Sequence, residues 1–216
     1  MKNLKWFEKE NNLKKVLEYN ANNYRLNDPG IILYRFILKY NRNKFSHEFI
    51  ELVYATLIAW NMNSRRAKLN KFNAFEKSIM DNKNLLKKLL NKNIDNILDK
   101  NVIDILSKLF FNLQLVDKSI KTSLVTFSKF IHFYFPELVV PIDRKYTCKY
   151  FGGSIHQDRN KQLKKFFEIE NEFLIYRQKM IKKLTKYKNK TWNLCINKIM
   201  DNMVIGYIQM KNINKI

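Results

Sequence analysis

The sequence predicts an all-α protein, and three observations predict it. Apolar residues recur at helical spacing in nearly every segment. Only 4 Gly and 3 Pro occur in 216 residues, too few for sheets joined by many tight turns. The hydrophobic fraction of 46%, with 16 Phe and 11 Tyr, supplies enough apolar surface for a folded core.

Taken in order, residues 3–19 place Leu4, Phe7, Leu13, Val16 and Leu17 on one side of a helix. Asp28, Pro29 and Gly30 read as a turn. The run 31–41 is apolar enough for a buried helix or a strand, and periodicity leaves both open. Ser46 reads as an N-cap, followed by the stripe Phe49, Leu52, Val53, Leu57 and Trp60. Residues 71–91 and 94–113 form two amphipathic helices that part near Lys92 and Asn93. An aromatic helix around LVTFSKFIHF follows, then a short helix from Asp143 to Tyr150. Gly152 and Gly153 mark the clearest break. A long basic helix comes next, and a final helix begins at Thr191. These elements predict a single compact helical domain over 1–216. It allows two lobes, a central block at 46–150 and a second lobe in which 1–45 and 151–216 pack together.

The charge narrows the function. Lys and Arg number 41 against 19 Asp and Glu, a formal +22. An AT-rich genome would enrich lysine, but it would enrich the acidic codons too. A field of this size attracts polyanions, double-stranded DNA first and RNA as an alternative. Anionic membrane surfaces and protein interaction stand behind these. Neither GxGxxG nor GxxxxGK[ST] occurs, so no nucleotide cofactor is expected. Cys148 and Cys195 lack CxxC or His-rich neighbours, so no metal is expected either. With no apolar leader and no apolar run of about 20 residues, a cytoplasmic location without a membrane span is the expectation.

Three groups carry candidate chemistry. AWNMNSRRAKL, residues 59–69, sets Trp60, Asn63, Arg65, Arg66 and Lys68 together, an aromatic ring beside cations that suits phosphate pairing and stacking. Lys129 and His132 share one face of the aromatic helix, and Asp143 follows Pro141-Ile142 directly before RKYT. Apolar surroundings favour the neutral, nucleophilic form of an amine. Asp143 is placed to cap the next helix and to face a cavity with basic walls. The plainer alternative makes Lys129 a residue reaching to water, His132 a core residue and Asp143 a cap alone. The third group is Lys198 with Asp201, three apart in the last helix and read as a pair tying that helix to the core. The cations of the long basic helix, Lys164 to Lys188, are a further candidate contact to a duplex backbone.

The segments ELVYATLIAWNMNSRRAKL, LVTFSKFIHF and PELVVPIDRKYT together resemble the helix-hairpin-helix DNA glycosylase superfamily over roughly residues 46–150. The resemblance implies a glycosylase fold acting on a flipped base, with Lys129 as a Schiff-base nucleophile and Asp143 as the carboxylate that activates it. The glycine-rich hairpin of that family is absent, with LVTFSK in its place. Phosphate anchoring would therefore fall to Arg144, Lys145 or Lys149, beside His132. The Lys129–Asp143 interval is shorter than is usual there, which leaves Lys121 as the other candidate nucleophile. A binding module of the same fold without chemistry is the alternative.

Overall fold

A computed structural model describes residues 4–23, 28–62, 68–120 and 122–213, with the side chains of Asn61 and Met62 left out. Asn63, Arg65, Arg66 and the alternative nucleophile Lys121 lie outside the described residues. The chain is all-helical, as predicted. Among the described residues no strand forms, and a lone antiparallel bridge joins Leu69 to Val116. No helix among them is long and apolar enough to cross a membrane.

A 3₁₀ turn at Leu4–Glu8 leads into α1 (Glu10–Asn22). The predicted turn at Asp28-Pro29-Gly30 is instead the start of α2 (Pro29–Lys39). Asp28 caps it, accepting a hydrogen bond from the Gly30 N–H at 2.7 Å, and Pro29 occupies the first turn, where its missing N–H costs nothing. The ambiguous run 31–41 is therefore helical, with Ile31, Tyr34 and Ile37 inward. Ser46 caps α3 (His47–Leu57), as its spacing predicts, accepting from Phe49 N at 3.3 Å.

The predicted helix over 71–91 is broken into α4 (Phe72–Asp81) and α5 (Lys83–Lys87). At the break Asn82 turns its side chain back onto Ser78 O at 2.9 Å, the competition with the helix ladder typical of asparagine. The next predicted helix starts later, as α6 (Lys100–Asn112), after a short 3₁₀ turn capped by Asn93. α7 (Leu124–Tyr134) is buried at every position and packs against α2, α3 and the long α8 (Arg159–Lys186). α9 (Ile196–Asn212) begins five residues later than Thr191, with Cys195 at its N-cap.

α9 packs along α1. The contact is backbone to backbone at Gly206, where a Cβ would sit 2.1 Å from Val16 O. Only glycine admits that approach. Through it, α9 is held where its first turns face α2 and the end of α3.

Candidate active site

The link from Phe135 to Ile142 carries Asp143 into position, and three buried side chains tie it down. Ser128 Oγ accepts from Ile142 N at 3.0 Å and donates to Val125 O. Glu170 of α8 accepts from Val140 N at 3.0 Å. His132 Nδ1 lies 2.7 Å from Val139 O, so it must donate there, and its Nε2 accepts from the Tyr34 hydroxyl at 2.6 Å. Burial pushes the His132 pKa down to about 3, which matches this neutral tautomer. His132 has 0% exposure. The expectation that it touches nucleic acid is corrected: its ring is a core fastener with both nitrogens engaged.

At the end of this link Asp143 does two things. Its Oδ1 accepts from Lys145 N at 2.7 Å as the cap of a π turn, Arg144–Cys148. Its Oδ2 lies 3.2 Å from Lys129 Nζ. The Lys129 side chain is 5% exposed and that of Asp143 29%, so the pair sits at a pocket wall, half open on the carboxylate side. Burial alone would raise the Asp143 pKa. The Lys129 ammonium, with the N–H groups of Lys145 and Tyr146, outweighs it and holds the carboxyl below its usual range.

A pocket of about 220 Å³ opens beside this pair, lined also by Asp28, Trp60, Tyr146, Trp192, Lys198 and Asp201. Trp60 reaches it because α3 ends in a π turn, Ile58–Met62, which moves the indole off the Phe49 stripe and onto α2. A Cβ at Gly30 would come within 2.6 Å of Trp60 Cδ1, and Trp60 Nε1 donates to Gly30 O at 3.2 Å. The ring is not a free stacking platform. Lys198 Nζ lies 4.7 Å and Lys129 Nζ 5.7 Å from its centroid, so it is a seat shared by two ammonium groups. Trp192 contributes a second ring, 5.2 Å from Lys198 Nζ.

The Lys198–Asp201 pair forms, at 2.5 Å, with both side chains 4% exposed. It does more than tie α9 to the core, because both residues line the pocket opposite Lys129 and Asp143. Burial raises the Asp201 pKa above the usual carboxylate range despite the pull of Lys198. The expectation of basic walls is also corrected. Asp28, Asp143 and Asp201 face Lys129 and Lys198, so the lining is formally one negative charge in a chain of +22.

The remaining predicted residues lie outside the pocket lining. Arg144 and Lys145 are exposed beside Asp143; Arg144 donates to Thr122 Oγ1 at 2.8 Å. Lys149 is occupied by Asn212 Oδ1 at 2.9 Å, and Lys68 lies 3.7 Å from Asp117. On α8, Arg177 pairs with Asp95 at 2.6 Å and Lys179 with Glu8 at 3.5 Å, whereas Lys164, Lys182 and Lys186 are exposed.

Sequence reasoning missed Asp28, Trp192 and Tyr146 as pocket residues, and Ser128 and Glu170 as the ties of the link. The one available signal was Glu170, a carboxylate on the apolar face of α8. No cluster of His, Cys, Asp or Glu among the described residues could hold a metal. Comparison of the chain with known protein families, curated proteins and solved structures finds no match to any of them.

Proposed function

We propose that the chain is a DNA-directed enzyme of the glycosylase type, acting on a base turned out of the duplex into the pocket beside Lys129. The observation that carries this reading is the Lys129–Asp143 pair, a lysine and a carboxylate 3.2 Å apart at a pocket, with the exposed Arg144 and Lys145 next in sequence to the carboxylate. Extrusion of a base costs a few kcal/mol, which phosphate contacts under a +22 field would offset. The acidic lining supports a division of labour: phosphate stays at the rim, and the neutral base and sugar edge go inside.

In the covalent version, Lys129 passes one proton to Asp143 Oδ2 and attacks C1′. The glycosidic C1′–N bond breaks, and the base leaves with the bonding electrons and takes that proton. A second proton moves from the lysine nitrogen to O4′ as the sugar ring opens, leaving an iminium at C1′. The lowered pKa of Asp143 makes its carboxyl a ready donor of that proton to the departing base. Where water attacks instead, the Asp143 carboxylate stabilises the cationic sugar.

The test is a panel of duplexes bearing abasic sites and modified bases, incubated with borohydride. The expected result is a reduced covalent adduct for the wild type and none for Lys129→Gln, with base release lost in Asp143→Asn. Base release without an adduct would leave the water-attack route. Neither product on any duplex, with duplex affinity retained, would leave the chain a binding module.

A further inference from the structure

We infer that Asp28 is the specificity-determining acceptor of this pocket: its open oxygen takes an N–H from the entering ring, so amino-bearing bases are selected over the same bases without the amino group. The inference rests on the proposed function for the identity of the ligand as a base, and on the following geometry for its chemistry.

The two oxygens of Asp28 are used differently. Oδ1 accepts from Gly30 N at 2.7 Å and so starts α2. Oδ2 has no hydrogen-bond or ion-pair partner among the described residues. Nor is it sealed: Asp28 is half-buried, and each of its carboxylate oxygens is either bonded or open to solvent. Asp201 differs in this respect. Its unpaired Oδ1 is closed to solvent and out of reach of an entering group.

The Asp28 carboxylate is also fixed at the pocket wall. It lines the pocket together with Ile31 and Trp60. The point where a Gly30 Cβ would sit lies 2.9 Å from Asp28 Oδ1 and 2.6 Å from Trp60 Cδ1, which sets the carboxylate at the edge of the indole. Pro29, with its fixed φ, and the bond to Gly30 N hold it there. An acceptor held in this way loses little freedom when a donor arrives.

Charge singles out the same residue. Of the three carboxylates in the lining, Asp143 pairs with Lys129 and Asp201 with Lys198. Asp28 has no ammonium partner among the described residues, so the excess negative charge of the lining is its own. Such a group repels an anion and strengthens a hydrogen bond from any N–H it meets. The pocket volume, about 220 Å³, falls below the roughly 300–1,000 Å³ of sites for drug-sized ligands, which suits a single ring system.

Asp28 can be altered without disturbing the helix it starts, because asparagine and serine cap about as well as aspartate. In Asp28→Asn the Gly30 N–H requires an oxygen. The amide gives it Oδ1 and presents Nδ2–H₂ where the open carboxylate oxygen was. An acceptor becomes a donor at unchanged shape. In Asp28→Ser the hydroxyl caps and no second oxygen remains.

The experiment follows intrinsic tryptophan fluorescence, since two of the three tryptophans line the pocket. Full-length protein is titrated with 2′-deoxyadenosine and 2′-deoxycytidine, and with their counterparts in which the amino group is replaced by hydrogen. The same four nucleotides placed opposite a mismatch in a duplex give a second format for a pocket that needs the backbone. For the wild type, at least one amino-bearing member should bind about tenfold or more tighter than its counterpart, as befits a hydrogen bond to a charged group. That ratio should fall below about twofold in Asp28→Ser and fall as far or invert in Asp28→Asn. Both variants should melt within a few degrees of the wild type. Equal binding of each pair by the wild type, an unchanged ratio in the variants, or no binding in either format overturns the assignment. Loss of the fold in both variants would overturn it too, since Oδ2 would then be holding structure and not awaiting a ligand. A covalent adduct formed equally on amino-bearing and amino-free substrates would sink the role of Asp28 and leave the glycosylase reading standing. Amino selection without any chemistry would do the reverse.

Discussion

Breaking the Lys129–Asp143 pair tests whether it is an ion pair at a pocket wall or a fortuitous approach. At 3.2 Å and an effective dielectric constant of about 20, the Coulomb attraction is about 5 kcal/mol. Desolvation of Lys129, 5% exposed, offsets several kcal/mol of that, and the half-open Asp143 side screens some of the rest. A net coupling of about 1–3 kcal/mol is expected. Asp143→Asn alone leaves a buried ammonium with no charged partner, only the amide oxygen, Trp60 O at 3.4 Å and the indole. It should cost about 2–4 kcal/mol, a Tm drop of about 5–15 °C at this chain length. Lys129→Met fills the same space without charge, and the double variant should be more stable than additivity predicts. The assay is urea unfolding of the four proteins, repeated across pH. Because the Asp143 pKa is lowered on folding, its contribution is complete above the unfolded value of about 3.9 and is lost as pH falls through the folded one. The gap between wild type and Asp143→Asn should therefore close in acid. A coupling below about 0.5 kcal/mol at pH 7, or a gap that widens in acid, would refute the reasoning.

Three further outcomes are expected. Gly206→Ala forces a Cβ onto Val16 O and should cost about 1–3 kcal/mol or more, seen as a lower Tm by circular dichroism; an unchanged Tm would contradict the close approach of α1 and α9. Glu170, whose pKa burial raises well above the usual range, stays neutral when folded and ionises when unfolded, so it lowers stability as pH rises above about 4.5. Glu170→Gln keeps an acceptor for Val140 N and should raise Tm at pH 8 more than at pH 4.5, by differential scanning calorimetry. Arg144→Ala and Lys145→Ala should each reduce the slope of log affinity against log salt for duplex DNA by about 1, with little effect on Tm.

Much of the fold was legible because helix caps act locally. Ser46 announces α3 through one side-chain bond to Phe49 N, and Asp143 announces its π turn in the same way. Asp28 misled for a related reason: Asp-Pro-Gly is turn chemistry, but Pro at a first helical turn is equally at home. The Lys129–Asp143 pair could be read because both residues lie within one short supersecondary unit. The meeting of Lys198 with Asp201 was also readable, since three residues apart on a helix are neighbours. What they face was not. That depends on α9 lying against α1 through Gly206, nearly two hundred residues away in sequence from its contact with Val16. Trp60 was named from sequence but its placement was not legible: 3.6-residue periodicity puts it on the Phe49 stripe, and a π turn, which spacing does not reveal, re-aims it.

The imidazole behind Asp143 has a quiet consequence. A ring that gains its proton only near pH 3, clamped between a tyrosine hydroxyl and a peptide carbonyl, neither charges nor tilts across the physiological range. The anchor of the link that delivers Asp143 is thus inert to acidity. The proton exchanged between Lys129 and Asp143 therefore moves against a backbone link whose own fastening does not change with pH.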